Sequence, residues 1–296
     1  MASQSLAKSL EAKHPILELE SLGQSVWLDF IDRNLVKPEG QLQHFIEDLR
    51  LKGITSNPTL FEHAISEGKH YQDQIKTLLS QRDWEVKELY EEIAAVDIAA
   101  AADLLRPTYE KSRGADGYAC LEVSPHFAYD AEKTINEARY LWSKVNRPNI
   151  MIKVPGTSEG VSAIRTLLTE GININITLLF SQDHYHEVAQ AYLEALETRV
   201  AQGKSVEKIA SVASFFVSRI DAQIDPLIQK QIQNETNSQK RNQLQTILGK
   251  IAISNAKLAY SYFQNLYSSD RWKALEKSKA HPQRLLWAST GTKNKA

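Results

Sequence analysis

Short apolar runs alternate with longer stretches of helical period along most of the chain. The runs are SVWLDF, GITSN, GYACLEV, NIMIKV, the segment Ile172 to Thr177, IASVASFF and RLLWAST, seven in all. Between them lie amphipathic segments such as YDAEKTINEARYLWSKV and QDHYHEVAQAYLEALETRV. Strand and helix in repeated alternation predict parallel strands joined by crossover helices. So many repeats favour a (β/α) barrel, with an open doubly wound sheet as the alternative. No linker rich in Gly, Ser or Pro interrupts the pattern, which predicts a single domain over residues 1–296. The Gln- and Asn-rich stretch from Gln229 to Gln245 reads as a polar helical excursion before the last strand.

Residues two apart share one face of a strand. In NIMIKV, Ile150, Ile152 and Val154 form one face, and Met151 and Lys153 the other. Ile172, Ile174 and Ile176 oppose Asn173, Asn175 and Thr177. Tyr118, Cys120 and Glu122 oppose Ala119, Leu121 and Val123, while Trp27 and Asp29 oppose Val26, Leu28 and Phe30. Four strands therefore carry one greasy face and a second that ends in a polar or charged residue near the C-terminal end, where barrel enzymes place their chemistry.

Composition narrows the field of partners. A hydrophobic fraction of 42% suits a sizeable core, and a net charge of -1 offers no basic face for nucleic acid or an anionic membrane. Cys120 is the single cysteine, so an intrachain disulfide is excluded and a reducing, cytoplasmic compartment is expected. The opening MASQSLAKSLEAKHPILELE interrupts its apolar residues with charges and lacks a signal-peptide core. His184 and His186 in DHYHE would not share a helix face, so no metal site is expected there, and there is no Gly-rich nucleotide loop.

Lys153 carries the sharpest chemical hint. An ammonium on the inner face of an apolar strand is costly to desolvate, which favours the neutral amine. A neutral amine attacks a ketone to form a Schiff base, whose protonated form is an electron sink for cleavage of the adjacent carbon–carbon bond without metal or cofactor. The plain alternative is a buried ion pair with Glu122 or Asp29. Schiff-base chemistry also needs proton shuttles, for which Asp29 and Glu122 are the inward carboxylates, and Thr177 can hold a water. Asn57 and Asn175 offer amides to sugar hydroxyls, although Asn is also common at strand ends and turns.

GITSNPTL (Gly53 to Leu60) resembles the first signature of the transaldolase family, and IMIKVPGTSEGVSAIRTL (Ile150 to Leu167) resembles the second, which holds the Schiff-base lysine. The resemblance runs from about Ser25 to Lys293 and includes LEVSP, NITLLFS, ASFFVSRID and LLWASTGTKN, in the wording of the longer bacterial and plant-type branch. It implies a (β/α)8-type TIM barrel, no cofactor, and transfer of a dihydroxyacetone unit between ketose phosphate donors and aldose phosphate acceptors in the pentose phosphate pathway. It further implies that Lys153 forms the imine, that Glu122 and Thr177 position a water, and that Asp29 moves the donor hydroxyl proton. Asn57 and Asn175 would hold the adduct; Ser214, Arg219, Ser289 and Lys293 would complete substrate binding, Arg219 through its planar fork on phosphate.

One departure stands out. After LLWASTGTKN only Lys295 and Ala296 follow, so the chain reads as C-terminally short, with the eighth strand of such a barrel not supplied. Unpaired barrel edges would then invite self-association. Two rivals to a transaldolase follow: a transaldolase-like binding protein of impaired catalysis, and an aldolase that acts on fructose 6-phosphate and releases dihydroxyacetone. Retention of Asp29, Glu122, Lys153 and Thr177 together favours an enzyme.

Overall fold

A computed structural model describes residues 14–291. Its strands are β1 (Trp27–Leu28), β2 (Gly53–Thr55), β3 (Tyr118–Glu122), β4 (Ile150–Pro155), β5 (Ile174–Leu179), β6 (Ser211–Phe216) and β7 (Arg284–Ala288). They form a sheet whose hydrogen-bonded order is the chain order. The pairs β1–β2, β2–β3, β5–β6 and β6–β7 run parallel. The helices are α1 (Pro15–Ser21), α2 (Arg33–Val36), α3 (Gln41–Asp48), α4 (Pro58–Glu67), α5 (Gln72–Leu79), α6 (Val86–Lys111), α7 (Ala131–Val145), α8 (Ser158–Glu170), α9 (Gln182–Ala201), α10 (Ser218–Asn234), α11 (Ser238–Ile247), α12 (Ile251–Ser268) and α13 (Asp270–Glu276). This is the (β/α)8-type barrel architecture, with seven strands among the described residues.

Each apolar run has its strand, and two of the differences in extent bear on the expected site residues. The first strand stops at Leu28, so Asp29 lies beyond it and is exposed. Asp32, in extended backbone, already caps α2 by accepting from Leu35 N at 2.7 Å, so the chain leaves the sheet directly after the last paired residue. The fifth strand is displaced toward the C-terminus, to Ile174–Leu179. The polar stretch before the last strand is helical, split between α10 and α11. No helix of the described residues is long and apolar enough to cross a membrane.

By contacts the chain divides into two compact units. One holds the residues up to Val123 together with Glu137–Ile152; the other holds Ser124–Asn136 and the chain from Lys153 onward. The chain passes between them after Val123, inside α7 and inside β4.

In the first unit, α6 packs along β3. Ile93, Ala94, Ile98, Ala101, Ala102 and Leu105 recur at helical spacing and are buried. Asn149 ties that helix to the strand entry: its buried Nδ2 donates to Ala102 O and Gly117 O, each at 2.8 Å. In the second unit, α8 and α9 pack on one another and both contact β5. All six residues of β6 are buried, as expected of a strand covered on both faces, whereas β7 is half-buried along its length. Thr157 caps α8 by accepting from Gly160 N at 3.0 Å, and Gly171 closes it at φ 105°, a left-handed conformation that favours glycine. Gly160 has no alternative either, because a Cβ there would lie 2.0 Å from Pro155 O.

Candidate active site

Three of the expected site residues lie in the first unit. Asp29 is exposed just past β1. Asn57 is half-buried and caps α4, its Oδ1 accepting from Leu60 N at 3.4 Å, with Pro58 at the favoured first helical position. Glu122 ends β3 and is half-buried. The backbones beside Asn57 and Glu122 are joined, since Ser56 N donates to Cys120 O at 3.1 Å. The α6 residue Tyr90, edge-on to Phe61 at 5.9 Å, senses Glu122: burial first, and then the charges of Glu122 and neighbouring carboxylates, push its phenol up and keep it protonated.

The second unit holds the expected amine and neutral hydrogen-bonding groups. Lys153 sits in β4, whose six residues are all buried, and is itself 8% exposed. Among the described residues of this unit it is the only buried charged side chain; the other buried polar residues are neutral. Gly156 N donates to Thr177 O at 2.9 Å, fastening the end of β4 to β5 beside Thr177. Thr177 is 2% exposed. Directly after it the strand bulges: the register with β6 shifts between Ile176 and Leu179, and Leu178 adopts φ 64° and faces solvent. Simple alternation does not anticipate this kink, and bulges of this kind recur where a strand end must aim a side chain.

Asn175 and Ser214 meet. The Ser214 hydroxyl donates to Asn175 Oδ1 at 2.7 Å, both residues fully or nearly buried. The bond leaves the Asn175 amide group oriented as a donor. Arg219 is exposed at the start of α10, with its guanidinium over the Phe216 ring at 4.8 Å. Phe216 in turn stacks on Phe180, centroids 4.9 Å apart. Arg219 and Phe180 line a cleft of about 400 Å³ with Gln223 and Ile220. Ser289 follows β7 at φ 53°, and Ser218 holds it: Ser218 N donates to Ser289 O at 2.9 Å and the two hydroxyls lie 3.1 Å apart. Ser218, buried and one residue before Arg219, escaped the sequence reading, although its place in the SFFVSR motif marks it. Lys293 lies outside the described residues. Among the described residues no group of three or more metal-ligating side chains occurs, His184 and His186 included.

A buried amine on a buried strand, and an amide paired with a hydroxyl in the same unit, are groups able to serve carbonyl chemistry. A match to the family described as Transaldolase/Fructose-6-phosphate aldolase covers residues 26–296. The chain belongs to this family. It is 46% identical over 281 residues to a transaldolase of Trichodesmium erythraeum, covering 95% of this chain and 73% of that protein. A transaldolase of Thermobifida fusca is 44% identical over 280 residues, again with 95% and 73% covered. A protein named transaldolase 2 from Nostoc sp. is 42% identical over 280 residues, with 94% and 73% covered.

Proposed function

We propose that this chain is a transaldolase that carries a dihydroxyacetone unit from a ketose phosphate to an aldose phosphate as an imine on Lys153. The observation that carries the proposal is the burial of Lys153 as the sole buried charge of its unit among the described residues. A buried cation is expensive, and its retention there has a chemical use.

In the proposed sequence the Lys153 amine adds to the donor ketone and water leaves to give the iminium, with Glu122 and Thr177 holding the water that relays protons. Asp29 takes the proton from the hydroxyl on the carbon beyond the bond to be broken. That bond cleaves, the aldose phosphate departs, and the electron pair is held as the enamine. The enamine then attacks the acceptor aldehyde, Asp29 returns the proton, and hydrolysis frees Lys153. Asn57 and Asn175 grip the three-carbon adduct. Ser214, Arg219, Ser289 and Lys293 bind the rest of the substrate, with Arg219 on its phosphate. No cofactor is needed in this sequence.

The deciding experiment is incubation with fructose 6-phosphate, borohydride reduction and mapping of the adduct by mass. A reduced three-carbon or hexose phosphate adduct on Lys153 is expected; folded protein without any adduct sinks the proposal. The family's own description spans transaldolases and fructose 6-phosphate aldolases, so simple aldol cleavage is the second reading. Addition of erythrose 4-phosphate separates them: transfer to the acceptor supports the first, free dihydroxyacetone the second. The proposal also takes the two units as one barrel domain, expected to unfold in a single calorimetric transition. Self-association through sheet edges belongs to the same proposal and is read by sedimentation velocity.

A further inference from the structure

Arg33 begins α2, four residues after Asp29, and is held by groups from two other elements at once. Its Nε donates to Asp97 Oδ1 at 2.6 Å, from the middle of α6. Its backbone N–H donates to the Tyr71 hydroxyl at 2.8 Å, and that hydroxyl donates to Asp97 Oδ2 at 2.9 Å. The guanidinium lies over the Tyr71 ring at 4.8 Å. Asp97 and Tyr71 are each 1% exposed. The ring of bonds closes on itself: backbone, guanidinium, carboxylate and phenol each fix another.

Stability alone does not account for this arrangement. A buried ion pair loses much of its Coulombic gain to desolvation, and apolar residues of similar volume often serve as well. Burial raises the Asp97 carboxyl despite the Arg33 charge beside it, and the nearby Asp32 pushes it the same way. Arg33 Nη2 is moreover buried without a partner, a cost that an ion pair kept only for stability would avoid. What such a network delivers is one backbone geometry at residue 33. Ile31 is buried and Asp32 caps the helix, so the segment is pinned down to within two residues of the exposed Asp29.

We propose that Arg33, Asp97 and Tyr71 are positioning residues for Asp29, fixing the segment that leaves β1 so that the Asp29 carboxylate meets the donor hydroxyl. The inference rests on the reading of Asp29 as the proton carrier of carbon–carbon cleavage. A displacement of about 1 Å at a reacting group can cost about 10²-fold in rate, which sets the scale for a loosened network.

The test uses Tyr71→Phe, which keeps the Arg33–Asp97 pair, and Asp97→Asn, each alone and combined with Asp29→Asn. Imine formation is read by borohydride trapping of fructose 6-phosphate, and cleavage by single-turnover release of glyceraldehyde 3-phosphate. Both positioning variants are expected to trap the imine as fully as the parent while cleavage slows about 10- to 100-fold, with the donor KM little changed. In the Asp29→Asn background neither is expected to slow cleavage further, because a positioning residue has nothing left to position. Additive losses in that background, a parallel fall of trapping and cleavage, or unchanged cleavage each overturn the proposal. If Asp97→Asn fails to fold, Tyr71→Phe decides alone. Failure of the underlying reading looks different: the parent traps no imine, or Asp29→Asn by itself leaves cleavage intact.

Discussion

The two units solve the burial of polar groups in opposite ways. In the first, the buried charges are carboxylates on helices: Glu91 and Asp97 on α6, and Glu137 on α7. They are met by long cationic side chains, Arg33 for Asp97 and Lys87 for both glutamates. In the second, the buried polar groups lie mainly on or beside strands and are neutral, Lys153 excepted. Asn173 Oδ1 accepts from Ala210 N at 2.9 Å, Ser211 donates to Ile174 O at 2.9 Å, and Gln283 donates to Ser211 at 3.0 Å. Neutral hydrogen bonds are satisfied at small desolvation cost, whereas a buried charge is tolerable only when paired. Lys153 is the one charged member of the buried polar set of its unit among the described residues, whereas the first unit buries several charges.

The largest expected effect breaks that contrast at its centre. Lys153→Met should abolish the borohydride adduct and lower transfer activity by about 10⁴-fold or more, while Tm stays level or rises, because a similar-sized apolar side chain replaces a buried ammonium. Activity assays and calorimetry on one preparation read both. An adduct that persists would name another lysine as the nucleophile; a large fall in Tm would make Lys153 a structural charge like those of the first unit.

The matching change in the first unit should act on stability. Arg33→Met leaves Asp97 buried without its guanidinium, at a cost of about 3–5 kcal/mol, measurable by urea denaturation. A neutral result would mean that Asp97 simply takes up a proton, and would place the two units on the same footing.

These differences also explain what the sequence made visible. A lysine or asparagine at every second position of an apolar strand breaks a pattern of period two, so Lys153, Asn173, Asn175 and Thr177 are conspicuous, and all four are buried. The seven strands follow from the same alternation. Helices of mixed charge conceal their buried members. Within VKELYEEIAAVD nothing separates buried Glu91 from half-buried Glu88, because a carboxylate on a helix is usually solvated. Asp97 was readable in principle as a lone acid in the apolar run IAAVDIAAAA, but its partners Arg33 and Tyr71 are far off in sequence. Two local features escaped for another reason. The end of β1 before Asp29 depends on the Asp32 cap, and the bulge at Leu178 sets a leucine at positive φ, which no propensity foretells.

A smaller effect probes the neutral network. Ser214→Ala removes the donor to the buried Asn175 Oδ1 and should cost about 0.5–1.5 kcal/mol of stability, the net worth of one intramolecular hydrogen bond. If Asn175 holds the substrate adduct through its amide, the donor KM should also rise as that amide loses its fixed orientation. Ser214→Thr, which keeps the hydroxyl, should recover the KM. Loss of stability without any change in KM would confine the pair to the core.

The smallest effect concerns the glutamate pair, and its sign follows from titration. Glu91 is pushed above the usual carboxylate range by burial, with the Glu137 hydrogen bond acting in the same direction and Lys87 opposing both. A carboxyl whose folded pKa is raised contributes stability that is fully present below its unfolded value and is lost as pH rises through the raised folded value. Glu91→Gln imitates the protonated form at every pH: it is neutral and can still donate to Glu137, which keeps its own bond with Lys87. The variant should therefore melt about 2 °C above the parent near pH 8, a gain of under about 1 kcal/mol in a chain of this size. That gain should vanish near pH 4, where the parent carboxyl carries its own proton. A melting shift of equal size at both ends would show that the glutamate pair is held by packing rather than by charge, and the first unit would then differ from the second only in which residues it buries.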